Sequence, residues 1–292
     1  MKLFIDYGGT NFRYVIKNEN RIFKEESLKS DTISLKEFLI KKLKEYPRIS
    51  FIGIAFGGQV KNGVILSAPN IDTQEFDIKS YFESNYDLRL EIDNDLKTAA
   101  LAQMRIFDSN RSLVLLYMGT GLGSCFVDGG KIVRGFSNLA GEIGHISYKD
   151  SPFTCGCGKD NCLELFASGS ALKRWIDHFA LNIEPTLEAL NLCKSPKAYV
   201  ILQNFHDATA FAASLLTTLL NPSNLILGGG VFKNNPYLKE MIEKEISKKA
   251  MRKSAQDTKV TLSTLKNANL LGAQLLENYK KESNEQLHDK NS

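Results

Sequence analysis

Four residues with metal-binding side chains stand close together in the sequence: His145, Cys155, Cys157 and Cys162. Three thiolates and one imidazole complete a tetrahedral zinc shell and leave no position for substrate. The spacing therefore predicts a structural Zn2+, not a catalytic one. Two acidic residues, Glu142 and Glu164, flank the string. Solvated surface carboxylates are the plainer reading of such a pair, but a place at both ends of a metal loop points to a polar ligand. A polyol needs several fixed donors and acceptors, because a buried unpaired polar group costs about 1–3 kcal/mol. His145 can serve twice, holding metal through one ring nitrogen and a hydroxyl through the other. A nucleic-acid-binding zinc ribbon would carry two CxxC knuckles among Arg and Lys; the neighbours here are Gly, Asp, Glu and Phe.

Three glycine-rich turns form a second group. In Asp6-Tyr7-Gly8-Gly9-Thr10-Asn11 the glycines let bare N–H groups approach an anion, Thr10 and Asn11 add polar contacts, and Asp6 can hold a water of bound Mg2+. Alone this is an ordinary hairpin turn. Gly119-Thr120-Gly121-Leu122-Gly123 repeats its grammar, and two such turns suit a polyphosphate gripped from both sides. The third, Leu227-Gly228-Gly229-Gly230-Val231, suits close approach to a base or ribose, or simply leads into a helix. No Walker A loop and no protein-kinase catalytic loop is present. Asn94-Asp95 follows a strand and precedes a helix. A carboxylate there points into the crevice where α/β sheets bind ligands, so Asp95 suits a base that takes the proton of an attacking hydroxyl. Capping of the helix by Asp95 or Asp93 is the equal alternative.

These residues need scaffolding. Residues 2–16 and 112–133 each read as strand, Gly turn, strand, a faint internal duplication that predicts two lobes of similar plan. Residues 34–46 have helical spacing, a Ser34 N-cap and a stop at Pro47. Residues 49–58 read as a buried strand, and 88–107 as a strand to Asp93 followed by a helix. Helices are expected at 167–180, 207–221 and 267–281, with a strand opening 224–235. The predicted domains are 1–110, completed by the helix 267–281, then 111–266 with the zinc loop; 282–292 reads as a frayed polar tail.

Composition excludes several classes. Hydrophobic content of 43% and charged content of 24% fit a soluble globular chain. The net charge of +4 is spread along the sequence, which disfavours nucleic acid as a partner. Asp6 interrupts any signal-peptide core, and the apolar run 211–220 is too short to span a membrane. Crowded cysteines without a secretory signal read as metal ligands, so a cytoplasmic protein is expected. Cys125 and Cys193 read as buried apolar residues.

The motifs together, in order and spacing, resemble the ROK family of sugar kinases and sugar-responsive repressors, within the actin-like ATPase superfamily. They are DYGGTNF (6–12), GGQVKNGVI (57–65), DNDLKTAALA (93–102), MGTGLGSCF (118–126), GEIGH (141–145), CGCGKDNCLE (155–164), ASG (167–169) and LGGGV (227–231), and they cover nearly the whole chain. The resemblance implies an α/β, two-lobed actin-like ATPase (ribonuclease H-like) fold with an inserted zinc loop. It implies a kinase that transfers the γ-phosphoryl of Mg-ATP to the 6-hydroxyl of glucose or a related hexose. Asp95 matches the family's base. Gly58, Asn70, Asn94, Glu142, His145 and Glu164 match its sugar-binding positions. Asp6, Gly8, Gly9, Thr10, Asn11, Thr120, Gly121, Gly228, Gly229 and Gly230 match its nucleotide-binding positions, and His145, Cys155, Cys157 and Cys162 its zinc ligands. Relatives form homodimers or homotetramers.

Several positions depart from the family pattern. Asn161 replaces a Gly before the last Cys, and its tolerance of positive φ should preserve the turn. Gly57-Gly58-Gln59 replaces a Pro-Gly form, Lys61 stands where Asp is frequent, Ser124-Cys125 replaces a further Gly, and Lys97-Thr98 interrupts a run of small residues. The change at Gly57–Lys61 leaves N-acetylmannosamine, N-acetylglucosamine and fructose beside glucose as substrates. A sugar-responsive regulator of this family would carry a DNA-binding segment ahead of the first strand; the strand begins at Lys2, so a regulator lacking that domain is the lesser expectation. A filament-forming ATPase fits the zinc string and paired Glu residues less well.

Overall fold

The computed structural model of the protein describes residues 1–19, 21–67, 75–107 and 112–288. These form two compact α/β units. One comprises Met1–Ile106, Gly135–Leu139 and Leu265–Ser292; the other comprises Phe107–Arg134 and Ala140–Thr264. Among the described residues no helix is long and apolar enough to cross a membrane.

In the first unit, β1 (Lys2–Tyr7), β2 (Asn11–Asn18) and β3 (Arg21–Lys29) form an antiparallel meander. β3 lies at the sheet edge and is mostly exposed, so its sequence carries charge at most positions instead of an apolar stripe. Helix α1 (Leu35–Glu45) opens on a reciprocal cap: Ser34 Oγ accepts the Glu37 N–H at 3.2 Å, and Glu37 accepts the Ser34 N–H at 3.2 Å. Strand β4 (Phe51–Phe56) is buried at every residue, as a strand flanked by parallel neighbours should be. A small sheet of β5 (Gln59–Lys61), β6 (Val64–Ser67) and β7 (Phe76–Asp77) follows. Then come α2 (Ile78–Asn85), β8 (Arg89–Asn94) and α3 (Asp95–Gln103). The main sheet runs β3-β2-β1-β4-β8, with β4 parallel to both β1 and β8.

The second unit repeats this plan. Strands β9 (Leu113–Met118), β10 (Leu122–Asp128) and β11 (Lys131–Val133) form the meander. After the cysteine loop come α4 (Gly169–His178), α5 (Leu187–Leu192), α6 (Pro196–Leu220), β12 (Asn224–Gly228), α7 (Gly230–Asn234), α8 (Tyr237–Lys249), α9 (Arg252–Asp257) and β13 (Lys259–Leu262). The sheet order is β11-β10-β9-β12-β13: again three antiparallel strands, then two parallel ones. α6 starts well before the expected residue 207, with Ser195 as N-cap and Pro196 in the first turn.

Helix α10 (Ala268–His288) belongs to the first unit and packs on α3, β1 and β4. It runs beyond the expected end at Lys281 into the segment read as a frayed tail. Two glycines permit its approach. A Cβ on Gly272 would enter the Thr98 carbonyl, and one on Gly53 of β4 would enter the Ala273 carbonyl. Helix propensity alone favours Ala over Gly by about 1 kcal/mol, whereas overpacking costs about 1–3 kcal/mol. Gly272→Ala is therefore expected to lower the thermal unfolding midpoint, and Leu271→Ala, at a 40% exposed neighbour, to leave it within a degree or two. Differential scanning calorimetry checks both.

Candidate active site and metal centre

Parallel register brings three strand ends of the first unit to one edge. Tyr7 pairs with Phe56, and Phe56 with Asn94. Gly8-Gly9, Gly57-Gly58 and Asp95 therefore leave the sheet together, at the carboxyl edge where open α/β sheets bind ligands. The first turn is braced from behind: Ser30 donates its Oγ–H to the Gly8 carbonyl at 2.5 Å and its N–H to the Thr10 carbonyl at 3.0 Å. The Gly57 N–H donates to the Tyr7 carbonyl at 2.8 Å. Thr10 and Asn11 are exposed. Burial pushes the Asp6 carboxyl above the usual range, while Asn269, whose Nδ2 donates to it at 3.2 Å, and the Arg13 charge pull it partly back. A cation beside Asp6 would offset the same burial.

Asn94, not Asp93 or Asp95, caps α3. Its Oδ1 accepts the N–H groups of Leu96 (3.1 Å) and Lys97 (3.3 Å), and its Nδ2 donates to the Gly58 carbonyl at 3.1 Å. The Asn94 carboxamide carries a second Nδ2 hydrogen besides the one given to Gly58. Asp95 opens the helix, and its Oδ1 accepts the Leu96 N–H at 2.8 Å. Thr98, a departure from the family's small-residue run, donates to the Asp95 carbonyl at 2.7 Å. Asp93 is buried, and its Oδ1 accepts the Asn94 N–H at 2.9 Å. Asn70 lies outside the described residues.

In the second unit the Thr120-Gly121 turn is tied to α4 and to Glu164. The N–H groups of Gly169 and Ser170 donate to the carbonyls of Gly119 (2.8 Å) and Thr120 (3.1 Å), and the Leu122 N–H donates to Glu164 Oε2 at 3.3 Å. Ser168 caps α4 and donates to the Glu164 carbonyl at 2.8 Å. Ser124, another departure, holds the start of GEIGH in place. Its Oγ–H and N–H both donate to the Gly141 carbonyl, at 2.8 and 3.0 Å. Gly229, with φ +89°, leads into α7, and a Cβ there would strike the Met118 backbone. The turn enters a helix as expected, and the close approach at Gly229 is to the protein's own Met118 backbone.

The cysteine loop is a short antiparallel excursion. Leu163, Tyr148 and Ser151 N–H groups donate to the carbonyls of Ile146, Asn161 and Asp160, at 3.0, 2.8 and 2.9 Å. Its left-handed residue is Gly158, at φ +89°; Asn161, expected to take that role, has no positive φ. The ligand atoms of His145, Cys155, Cys157 and Cys162 lie within 4.8 Å of one another. A tetrahedron with Zn–S bonds of about 2.3 Å has edges of ~3.8 Å, so the donor set fits zinc. His145 turns Nδ1 to Cys155 Sγ at 3.4 Å and Nε2 to Glu142 at 3.8 Å. Burial pushes the Cys155 and Cys162 thiols up. For Cys157 burial acts the same way, but the Lys159 backbone N–H and the neighbouring thiols outweigh it and the group falls below its usual range. Cys155 also donates to Glu164 at 3.2 Å, so Glu164 touches both the metal loop and the glycine turn.

Sequence reasoning missed Ser30, Ser168 and Asn269 as supports. Ser168, just ahead of a small-residue helix start, carried a readable cap signal. The other two act across long sequence separations and had none.

A sheet repeated as three antiparallel plus two parallel strands, each copy opening on a Gly-rich hairpin, defines the actin-like ATPase fold, here with a Cys3His loop inserted. The sequence model of the ROK family matches residues 3–279, and the chain belongs to that family. It is 27% identical over 297 residues to a glucokinase of Halalkalibacterium halodurans, covering 90% of each chain. It is 28% identical over 253 residues to an N-acetylmannosamine kinase of Vibrio cholerae, covering 82% of this chain and 87% of the relative. The solved ROK hexokinase of Thermus thermophilus superposes with a TM-score of 0.74 at 26% identity, over 97% of this chain and 99% of that one.

Purified protein is expected to carry about one zinc per chain by elemental analysis, and Cys162→Ser or Cys157→Ala to lose it. Because Cys155 and Cys162 must shed protons to bind, metal affinity should fall as pH falls. Titration against a competing zinc indicator at pH 6 and pH 8 measures that slope.

Proposed function

We propose that the protein is an ATP-dependent hexose kinase that transfers the γ-phosphoryl of ATP to the 6-hydroxyl of glucose or a close relative. The observation that carries this reading is Asp95, the first residue of α3 at the carboxyl edge of the sheet, next to an Asn94 whose cap and Gly58 bond fix its geometry. Its carboxylate would accept the hydroxyl proton as the oxygen attacks phosphorus. Positioning and charge complementarity supply most of the rest in phosphoryl transfer. Gly58, Asn94, Asp95, Glu142, His145 and Glu164 would bind the sugar. Each carboxylate would accept from a sugar hydroxyl, and His145 Nε2, on the side away from the cysteines, would meet another. Gly8, Gly9, Thr10, Asn11, Thr120 and Gly121 would receive phosphates through backbone N–H groups. Mg2+, held near Asp6, would neutralise charge on the transferring phosphoryl. The glucokinase and N-acetylmannosamine kinase relatives name the two leading substrates.

A coupled ATP-consumption assay over glucose, mannose, fructose, N-acetylmannosamine and N-acetylglucosamine tests the reading. Turnover is expected with at least one of them. No turnover, with retention of DNA that depends on sugar, would replace the kinase by a sugar-responsive regulator. Asp95→Ala should lower kcat by about 10²–10⁴-fold, with the sugar dissociation constant changed only a few-fold by calorimetry; preserved turnover would remove Asp95 as base. Chelation of zinc should weaken sugar binding before the first unit melts. Undiminished sugar affinity in metal-free protein would show that the loop does not position Glu142, His145 and Glu164.

A further inference from the structure

Residues Gly135–Leu139 belong to the first unit although the chain on both sides belongs to the second. Two contacts fasten them to β5, the strand that follows Gly58. Lys61 Nζ lies over the ring of Phe136, 4.8 Å from its centroid, and that residue is 95% exposed. Asn138 Nδ2 donates to the Val60 carbonyl at 2.6 Å and to Asp93 Oδ1 at 3.3 Å. Asn138 holds a left-handed backbone, φ +63°, a conformation that persists in a non-glycine residue where the surroundings impose it.

The two acceptors of Asn138 lead to the same place. Val60 is two residues from Gly58, whose carbonyl takes the Asn94 Nδ2 hydrogen. Asp93, only 1% exposed, takes the Asn94 backbone N–H. One carboxamide therefore holds both neighbours of Asn94: the strand that follows Gly58 and the Asp93 carboxylate that takes its main-chain N–H. We infer that Asn138 is a positioning residue for the sugar acceptor, setting the separation of Gly58 from Asn94-Asp95. It acts through these neighbours and not on the reacting atoms. This role rests on the sugar-kinase reading and adds to it a residue from a different part of the chain.

The test is steady-state kinetics on the full chain, with a hexose that the native protein turns over and with each substrate varied in turn. Asn138→Gly keeps the left-handed backbone and removes only the carboxamide. It should raise the sugar KM at least fivefold, leave the ATP KM within twofold, and leave zinc content and melting temperature near native. Asn138→Asp sets a carboxylate against both Asp93 and the Val60 carbonyl and should raise the sugar KM further. A native-like sugar KM in Asn138→Gly would overturn the role. So would a parallel rise in both KM values with a lowered melting temperature, which marks a general structural part. A native chain inactive on every hexose overturns the kinase reading itself, independently of the variants, and this role with it.

Discussion

Parallel strand pairing in register is the constraint from which the site follows. Once Tyr7, Phe56 and Asn94 stand side by side, the chain has no choice about where Gly8, Gly57 and Asp95 emerge. Strands buried on both faces hold that alignment, because a one-residue slip of β4 would set an Ile side chain where Gly53 admits the Ala273 carbonyl. The geometry of this edge is thus set by ladder hydrogen bonds and core packing, and the polar residues there refine it. Asn94 is the clearest refinement: one side chain ends the sheet, starts the helix and anchors the neighbouring loop.

The second unit solves a related problem with different means. Its loop packs Ile146, Tyr148 and Phe153 against the core and exposes Lys149, Asp150, Lys159 and Asp160. A metal bound by the thiol and imidazole donors gathered at its base would add a cross-link to that packing. Glu164 then links three features through one carboxylate and its own carbonyl: the Cys155 thiol, the Leu122 amide and the Ser168 hydroxyl. A displaced metal loop would shift the glycine turn through these bonds.

What can be read from the sequence is local. Ligands within one short stretch, the Ser34 cap, the buried run of β4 and the strand-to-helix step at Asn94-Asp95 all show in neighbouring residues. β3 does not, because an exposed edge strand such as RIFKEESLK carries no apolar alternation. The first half of α6 does not, because AYVIL reads equally as a buried strand. Gly158, not Asn161, makes the turn of the cysteine loop, since a residue type that tolerates positive φ is not evidence that the backbone adopts it. Asn138, Asn269 and Ser30 act on partners 45, 263 and 22 residues away, beyond any pattern of spacing.

The place of α10 in the first unit has a consequence for synthesis. Residues Phe4, Val15 and Phe51 find their partner in Leu270, and α3 finds its cover in the same helix. A chain emerging from the ribosome exposes the α10-facing side of β1 and β4 while the whole second unit is made. The second unit, nearly continuous in sequence, can complete its sheet first. The usual order in which domains mature, amino end before carboxyl end, therefore does not extend to this layer of the first unit, which stays uncovered until the last helix is made.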